Sequence, residues 1–190
     1  MSDTRLSALD RLGQLPEVFT VEEFQTSQGL SAKAASVYLA RWQEQQKIGR
    51  LGPRSGVWVN LTKTPAIEWR HRRTALDIKH PDAFIGGRSA IALSEGKPAP
   101  EPLDVFIPQG SSKAQIDGIT LHYRPMRQHL LLASQAKTIY QDLRVLPADV
   151  ARADLFIHGG LDALHPTPEQ RQQALEKSTE MGLKKSTKNR

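Results

Sequence analysis

One stretch constrains the fold more than any other: residues 27–60, where a helical pattern runs straight into two short apolar runs separated by Gly52-Pro53-Arg54-Ser55-Gly56. Gln28-Gly29-Leu30 supplies a turn, and Ser31 is suited to cap the helix that follows. On a wheel of 3.6 residues per turn, Ala35, Leu39, Trp42 and Gln46 share one side, with Lys33, Ala34, Val37 and Arg41 roughly opposite. The first side can pack inward, leaving the second free to meet a partner. Beyond the helix, Ile48 to Leu51 and Val57 to Leu61 read as the strands of an antiparallel hairpin whose glycine-flanked tip exposes Arg54. Helix, strand, tip, strand is the order of a recognition helix followed by a wing. Small side chains beside Lys33 and Arg41 allow close approach to the floor of a DNA major groove, and Arg50 and Arg54 are placed for phosphates or a minor groove.

Upstream, Leu6, Leu9, Leu12 and Leu15 recur every three residues and predict a core-facing first helix that Pro16 stops. Thr20-Val21-Glu22-Glu23 fits a capping box, so a second helix is predicted from Thr20 to about Ser27 with Val21 and Phe24 turned inward. Trp42 and Trp58 sit at apolar-periodic positions and read as core rather than base-stacking residues. After a break at Thr62 to Pro65, Ile67 to Lys79 predicts an amphipathic helix carrying Arg70, His71, Arg72 and Arg73. Arg72 and Arg73 either extend a phosphate track or simply solubilise that helix.

Charge follows the same organisation. The 190 residues carry a formal +6, with a pI near 9.7. Residues 27–73 hold nine basic side chains against Glu44 and Glu68, a net +7, so the remainder sums to −1. Concentrating cations on the helix-hairpin element is what phosphate neutralisation requires. With 38% hydrophobic residues the chain can build real cores, and two domains are expected. Cysteine is absent, which removes disulfides and thiolate metal sites. The start, MSDTRLSALD, lacks the apolar core of a secretory signal, and no apolar run nears the ~20 residues of a membrane span, so a cytoplasmic protein is expected.

In the second half, Phe84-Ile85, Gly86-Gly87 and a small-residue run predict strand, turn and helix; Gly86-Gly87-Arg88-Ser89 lacks both Walker and Rossmann spacing. Val105, Ile107, Ile119, Leu121 and Tyr123 alternate with period two and predict half-buried antiparallel strands joined by a polar connector, Gln109 to Gly118. Leu130 to Leu132 suggests a further strand, and Ala133 to Leu146 a helix ended by Pro147. Thr167-Pro168-Glu169-Gln170 is a helix start. The six histidines form no His-Glu-x-x-His pair; Asp154, His158, Asp162 and His165 are the best cluster, interrupted by Gly159-Gly160. No catalytic residue, metal or cofactor is expected.

Phe19 to Val59 resembles the N-terminal winged helix of the AbiEi-type antitoxins of type IV toxin–antitoxin systems, where a helix-turn-helix is followed by a G-x-x-x-L turn and an aromatic-ended wing strand. Ile85, Gly86, Ser89, Ala90, Leu93 and Gly96, then Leu103 to Pro108 and Gly118 to Arg124, resemble the start of that family's second domain; the family's Arg-Thr-Leu-Asp-like helix is not visible beyond residue 125. The expected fold is therefore α+β: a winged helix-turn-helix over residues 1–64, a basic linker helix over 65–80, a mixed α/β antitoxin-like domain with a small antiparallel sheet over 81–176, and a basic flexible tail over 177–190. By resemblance, the chain would repress its own operon and antagonise a nucleotidyltransferase toxin, with operator DNA and that toxin as partners. The expected DNA contacts are Ser31, Lys33, Ala34, Val37, Arg41, Arg50, Arg54, Arg72 and Arg73. The competing reading is a nucleic-acid-processing or RNA-binding protein that uses the winged domain as an anchor. No motif specifies an operator or an oligomeric state.

Overall fold

The computed structural model describes residues 7–184, and the chain divides into two compact units. Leu6 and tail residues 185–190 lie outside the described residues. The fold is mixed α+β, with one sheet of three strands and one of five.

Unit 1 comprises residues 1–79 together with Ser112–Asp117. Its elements are α1 (Ala8–Gln14), β1 (Val18–Thr20), α2 (Val21–Gln28), α3 (Ala32–Glu44), β2 (Ile48–Arg50), β3 (Val57–Asn60) and α4 (Trp69–Lys79). Each helix start has a local cause. Ser7 and Asp10 form a capping box on α1, and Thr20 and Glu23 form the expected one on α2. Gly29, at φ 60°, closes α2, and the Ser31 hydroxyl accepts from the Ala34 N–H to open α3. At the start of α4 the Glu68 N–H donates to Nδ1 of His71, which leaves the Nε2 N–H to donate to Glu17 at 2.7 Å.

The core is an aromatic cluster of Phe19, Phe24, Tyr38 and Trp42, each ring 5.1–6.4 Å from a neighbour, packed with Leu12, Leu15, Leu39, Ile48 and Trp58. The period-three leucine stripe drifts as a helix turns, so Leu12 and Leu15 are buried while Leu9 faces solvent. Gln46 also leaves its expected side: α3 ends at Glu44, and Gln46 takes a left-handed turn at φ 56°. β1, which the sequence did not announce, pairs antiparallel with β3, giving the order β1-β3-β2. Buried Asn60 ties β3 to α1, its amide donating to the Leu12 carbonyl at 2.9 Å and its oxygen accepting from the Thr62 hydroxyl at 2.6 Å.

Unit 2 comprises His80–Ser111 and Gly118–Arg190. It contains β4 (Phe84–Ile85), α5 (Gly87–Ser94), β5 (Leu103–Pro108), β6 (Ile119–Arg124), α6 (Met126–Gln135), β7 (Thr138–Tyr140), β8 (Leu143–Val145), α7 (Ala148–His158), a 3-10 turn (Asp162–Leu164) and α8 (Pro168–Glu180). The sheet order is β6-β5-β4-β8-β7, and the expected antiparallel sheet is instead mixed. β5 and β6 run parallel, as do β4 and β8, while β4–β5 and β7–β8 are antiparallel. All six residues of β5 are buried, as suits a central strand covered on both faces, so period-two alternation there is not a burial pattern.

Two further expectations change. Leu130 to Leu132 lies within α6 rather than in a strand. Ala133 to Leu146 is the end of α6 followed by a hairpin, because Thr138-Ile139-Tyr140 is strand-forming and Gln141 and Asp142, both at positive φ, make a two-residue turn. The Thr167 capping box opens α8, which continues to Glu180 with Ser178 and Leu183 buried, so the expected tail is folded over its first residues.

Candidate nucleic-acid interface

The outward face of α3 takes shape from the packing of its inward one. With Ala35, Leu39 and Trp42 at 0–5% exposure, helical geometry turns Lys33, Val37 and Arg41 to solvent, Val37 at 64%, and leaves Ala34 half-buried. Together with Ser31 and Tyr38 they line a shallow depression of about 490 Å³. Neither Lys33 nor Arg41 meets an acid among the described residues. An exposed large apolar side chain thus stands between two cations that no acid engages among the described residues.

On the hairpin, Arg50 is cross-strand from Trp58 and sets its guanidinium 5.7 Å from that ring, so its stem is braced while its charge stays exposed. Arg54 stands at the tip at φ 58°, exposed, with Ser55 buried beneath it; the Ser55 hydroxyl donates to the Gly52 carbonyl and accepts from the Val57 N–H. The expected polar connector contributes here. Residues 112–117 lie along the hairpin, with Gln115 N–H donating to Pro53 O and Asp117 N–H to Leu51 O, both at 3.2 Å, and with Ala114 and Ile116 buried. Lys113, exposed in this segment, is a cation that sequence reasoning missed, because nothing local marks its register with the hairpin.

The basic cluster on α4 is differently disposed. Arg70 meets Glu17 at 2.7 Å and Glu68 at 2.9 Å, Arg73 is paired with Asp77, and His71 is buried on Glu17. The His71 N–H, with Arg70, holds the Glu17 carboxyl below its ordinary value against the opposing effect of burial. Arg72 is half-buried. Much of the α4 charge is thus neutralised within unit 1.

In unit 2 the double glycine has a packing role. A Cβ on Gly86 would meet the Phe106 ring at 2.7 Å, and one on Gly87, at φ 53°, would meet the Asp104 carboxylate at 2.9 Å. Asp104 fills the start of α5, accepting from the Arg88 N–H at 2.9 Å and meeting Nε2 of His122 at 2.9 Å. Burial pushes its carboxyl up most strongly, yet His122 and Arg88 together bring it below the ordinary value. An internal carboxylate therefore occupies the place a phosphate would take in a nucleotide loop.

Of the cluster Asp154, His158, Asp162 and His165, the structure brings Asp154 and His158 to 3.7 Å of each other, and among the described residues no third member joins them to form a metal site. Asp154, fully buried, is held by Arg124 through Nε at 2.9 Å and Nη2 at 2.5 Å and by Gln128 at 3.2 Å; Asp162 pairs with Arg171. Among the described residues, no group of three or more such side chains converges to hold a metal, and no helix is long and apolar enough to cross a membrane. No protein-family model and no curated protein matches this chain.

Proposed function

We propose that the chain is a sequence-specific duplex-DNA-binding regulator in which α2 and α3 form a helix-turn-helix and the β2–β3 hairpin its wing. The observation that carries this reading is the α3 face: Lys33, Val37 and Arg41 exposed, unengaged by acids, and set opposite Ala35, Leu39 and Trp42. Arg50 and Arg54 supply phosphate contacts on the wing, and Ser31 stands where α3 begins. Antagonism of a nucleotidyltransferase toxin by the second half is proposed on the resemblance alone.

The test is selection of preferred sites from a random duplex library, followed by titration of the winning site. Lys33→Ala and Arg41→Ala should each cost roughly 1–3 kcal/mol where the side chain reads a base edge. A double variant with wild-type affinity and preference would remove α3 as the reader. Tighter binding to single-stranded DNA or RNA than to duplex would favour the RNA-binding alternative.

A further inference from the structure

A cavity of about 480 Å³ opens within unit 2 between α5, α7 and the start of α8, inside the ~300–1,000 Å³ range of small-molecule sites. One wall is the side of α5 that presents Arg88, Ile91, Ala92 and Glu95, spaced i, i+3, i+4, i+7. Arg152 of α7 faces it, and Leu161 and Leu164 complete the apolar lining. Prolines 98, 100 and 166 stiffen the rim.

The polar groups are nearly all of one sign. Glu95 is the only acid among the lining residues, and both its oxygens are taken, one by Lys97 and one by Arg152, each at 2.6 Å. Lys97 first, then Arg152, hold its carboxyl below the ordinary value despite some opposing burial, so it stays charged. Three cations against one acid leave the cavity at +2. Arg88 is half-exposed, and its one ion pair is a 3.4 Å contact from Nε to Asp104, a carboxylate already satisfied by the Arg88 N–H and His122. No acid engages its terminal fork among the described residues. An arginine fork beside apolar walls in a concave, half-open cavity matches a planar anionic group on a compact apolar body.

We propose that this cavity binds a small organic anion, a carboxylate or phosphate ester with an apolar body, whose charged end sits on Arg88 with Arg152 and Lys97 adjoining. This stands apart from the DNA-reading proposal, and its test uses no DNA. The full-length chain, labelled with nitrogen-15, is titrated with phenyl phosphate and with benzoate, using inorganic phosphate and benzyl alcohol as controls. An aromatic anion should give saturable amide shifts at Arg88 to Glu95 and Leu161 to Leu164, and each control should bind at least about tenfold more weakly. Arg88→Gln should weaken binding about tenfold with the rest of the spectrum intact, and Ala92→Phe should abolish it by filling the cavity. Arg152→Gln repeats the charge test should Arg88→Gln disturb α5. Shifts elsewhere, equal binding of the neutral alcohol, wild-type titration by both arginine variants, or no response to either aromatic anion up to about 10 mM would each overturn the assignment.

Discussion

The electrostatics of unit 1 give a test that needs no knowledge of an operator. Of the nine basic residues between 27 and 73, Arg70 and Arg73 are paired with acids, and Lys63 donates to the Leu15 carbonyl. Arg72 is half-buried on the same helix as Arg70 and Arg73. Lys33, Arg41, Lys47, Arg50 and Arg54 remain, and Lys113 joins them through residues 112–117. If four to six of these meet phosphates, log affinity should fall against log salt with a slope of about −4 to −5, at about 0.9 per contact. Between 50 and 200 mM salt that is a loss of roughly 200- to 1,000-fold, readable by fluorescence anisotropy on any duplex. Arg54→Glu should flatten the slope by about one or more, and Lys113→Ala by up to about one. Arg72→Ala with Arg73→Ala should leave it unchanged, because Arg73 is already paired with Asp77 and Arg72 is half-buried. The reasoning fails if the α4 double variant flattens the slope while Arg54→Glu does not, since the duplex would then lie on the other face of the unit.

Three further outcomes follow from buried polar groups. Arg124→Met leaves the fully buried Asp154 without its guanidinium partner, so urea unfolding should show a loss of roughly 3–5 kcal/mol, and adding Asp154→Leu should recover most of it; equal stability of the single and double variants would contradict this. Asn60→Ala removes two hydrogen bonds, to the Leu12 carbonyl and the Thr62 hydroxyl, each worth about 0.5–1.5 kcal/mol, and should cost roughly 1–3 kcal/mol, checked by the same urea titration. Acidification should act in two stages. Burial lowers the His129 imidazole from its ordinary 6.5, so the unfolded chain takes up the proton first and stability falls as pH drops below 6.5 toward the folded value. Glu17 and Asp104, whose folded values lie below the ordinary 4.5 and 3.8, stabilise above those values and lose that contribution as pH falls through the folded ones. Thermal melts of His129→Leu between pH 7 and 5.5 should be flatter than wild type, and parallel curves would exclude His129 as the first-stage group.

Local chemistry made the first half legible. The Thr20 capping box, the Ser31 cap, Gly29 and the inward trio on α3 are each decided within a few residues, and each was readable from spacing. β1 was not, because Val18-Phe19-Thr20 is too short for a period and becomes a strand only through its register with Val57-Trp58-Val59. The same limit explains the second half. Alternation at 105–107 and 119–123 speaks of extended chain but not of direction, and hydrogen bonding across the sheet made the pair parallel. The acids beside the α4 cluster divide in the same way: Glu68 and Asp77 lie on or next to the helix, while Glu17, which engages Arg70 and His71, lies far upstream, outside any window over it.

The parallel pairing bears on what counts as the candidate DNA-binding unit. A parallel neighbour is reached only by carrying the chain back along the strand it has just completed, and a hairpin turn cannot do it. Between β5 and β6 that return takes residues 109–118, and 112–117 belong to unit 1. There the backbone of Gln115 and Asp117 satisfies the carbonyls of Pro53 and Leu51, and it fills the space beside Gly52, where a Cβ would collide with the Gln115 carbonyl. Leu51 is 1% exposed beside it. A fragment ending at Lys79 therefore loses the cover over its own hairpin, frees two carbonyls at the tip, and loosens the left-handed turn that presents Arg54. Weak DNA binding by such a fragment would report on the tip as much as on α3, so point variants on α3, the tip and Lys113 in the intact chain are what separate the two contributions.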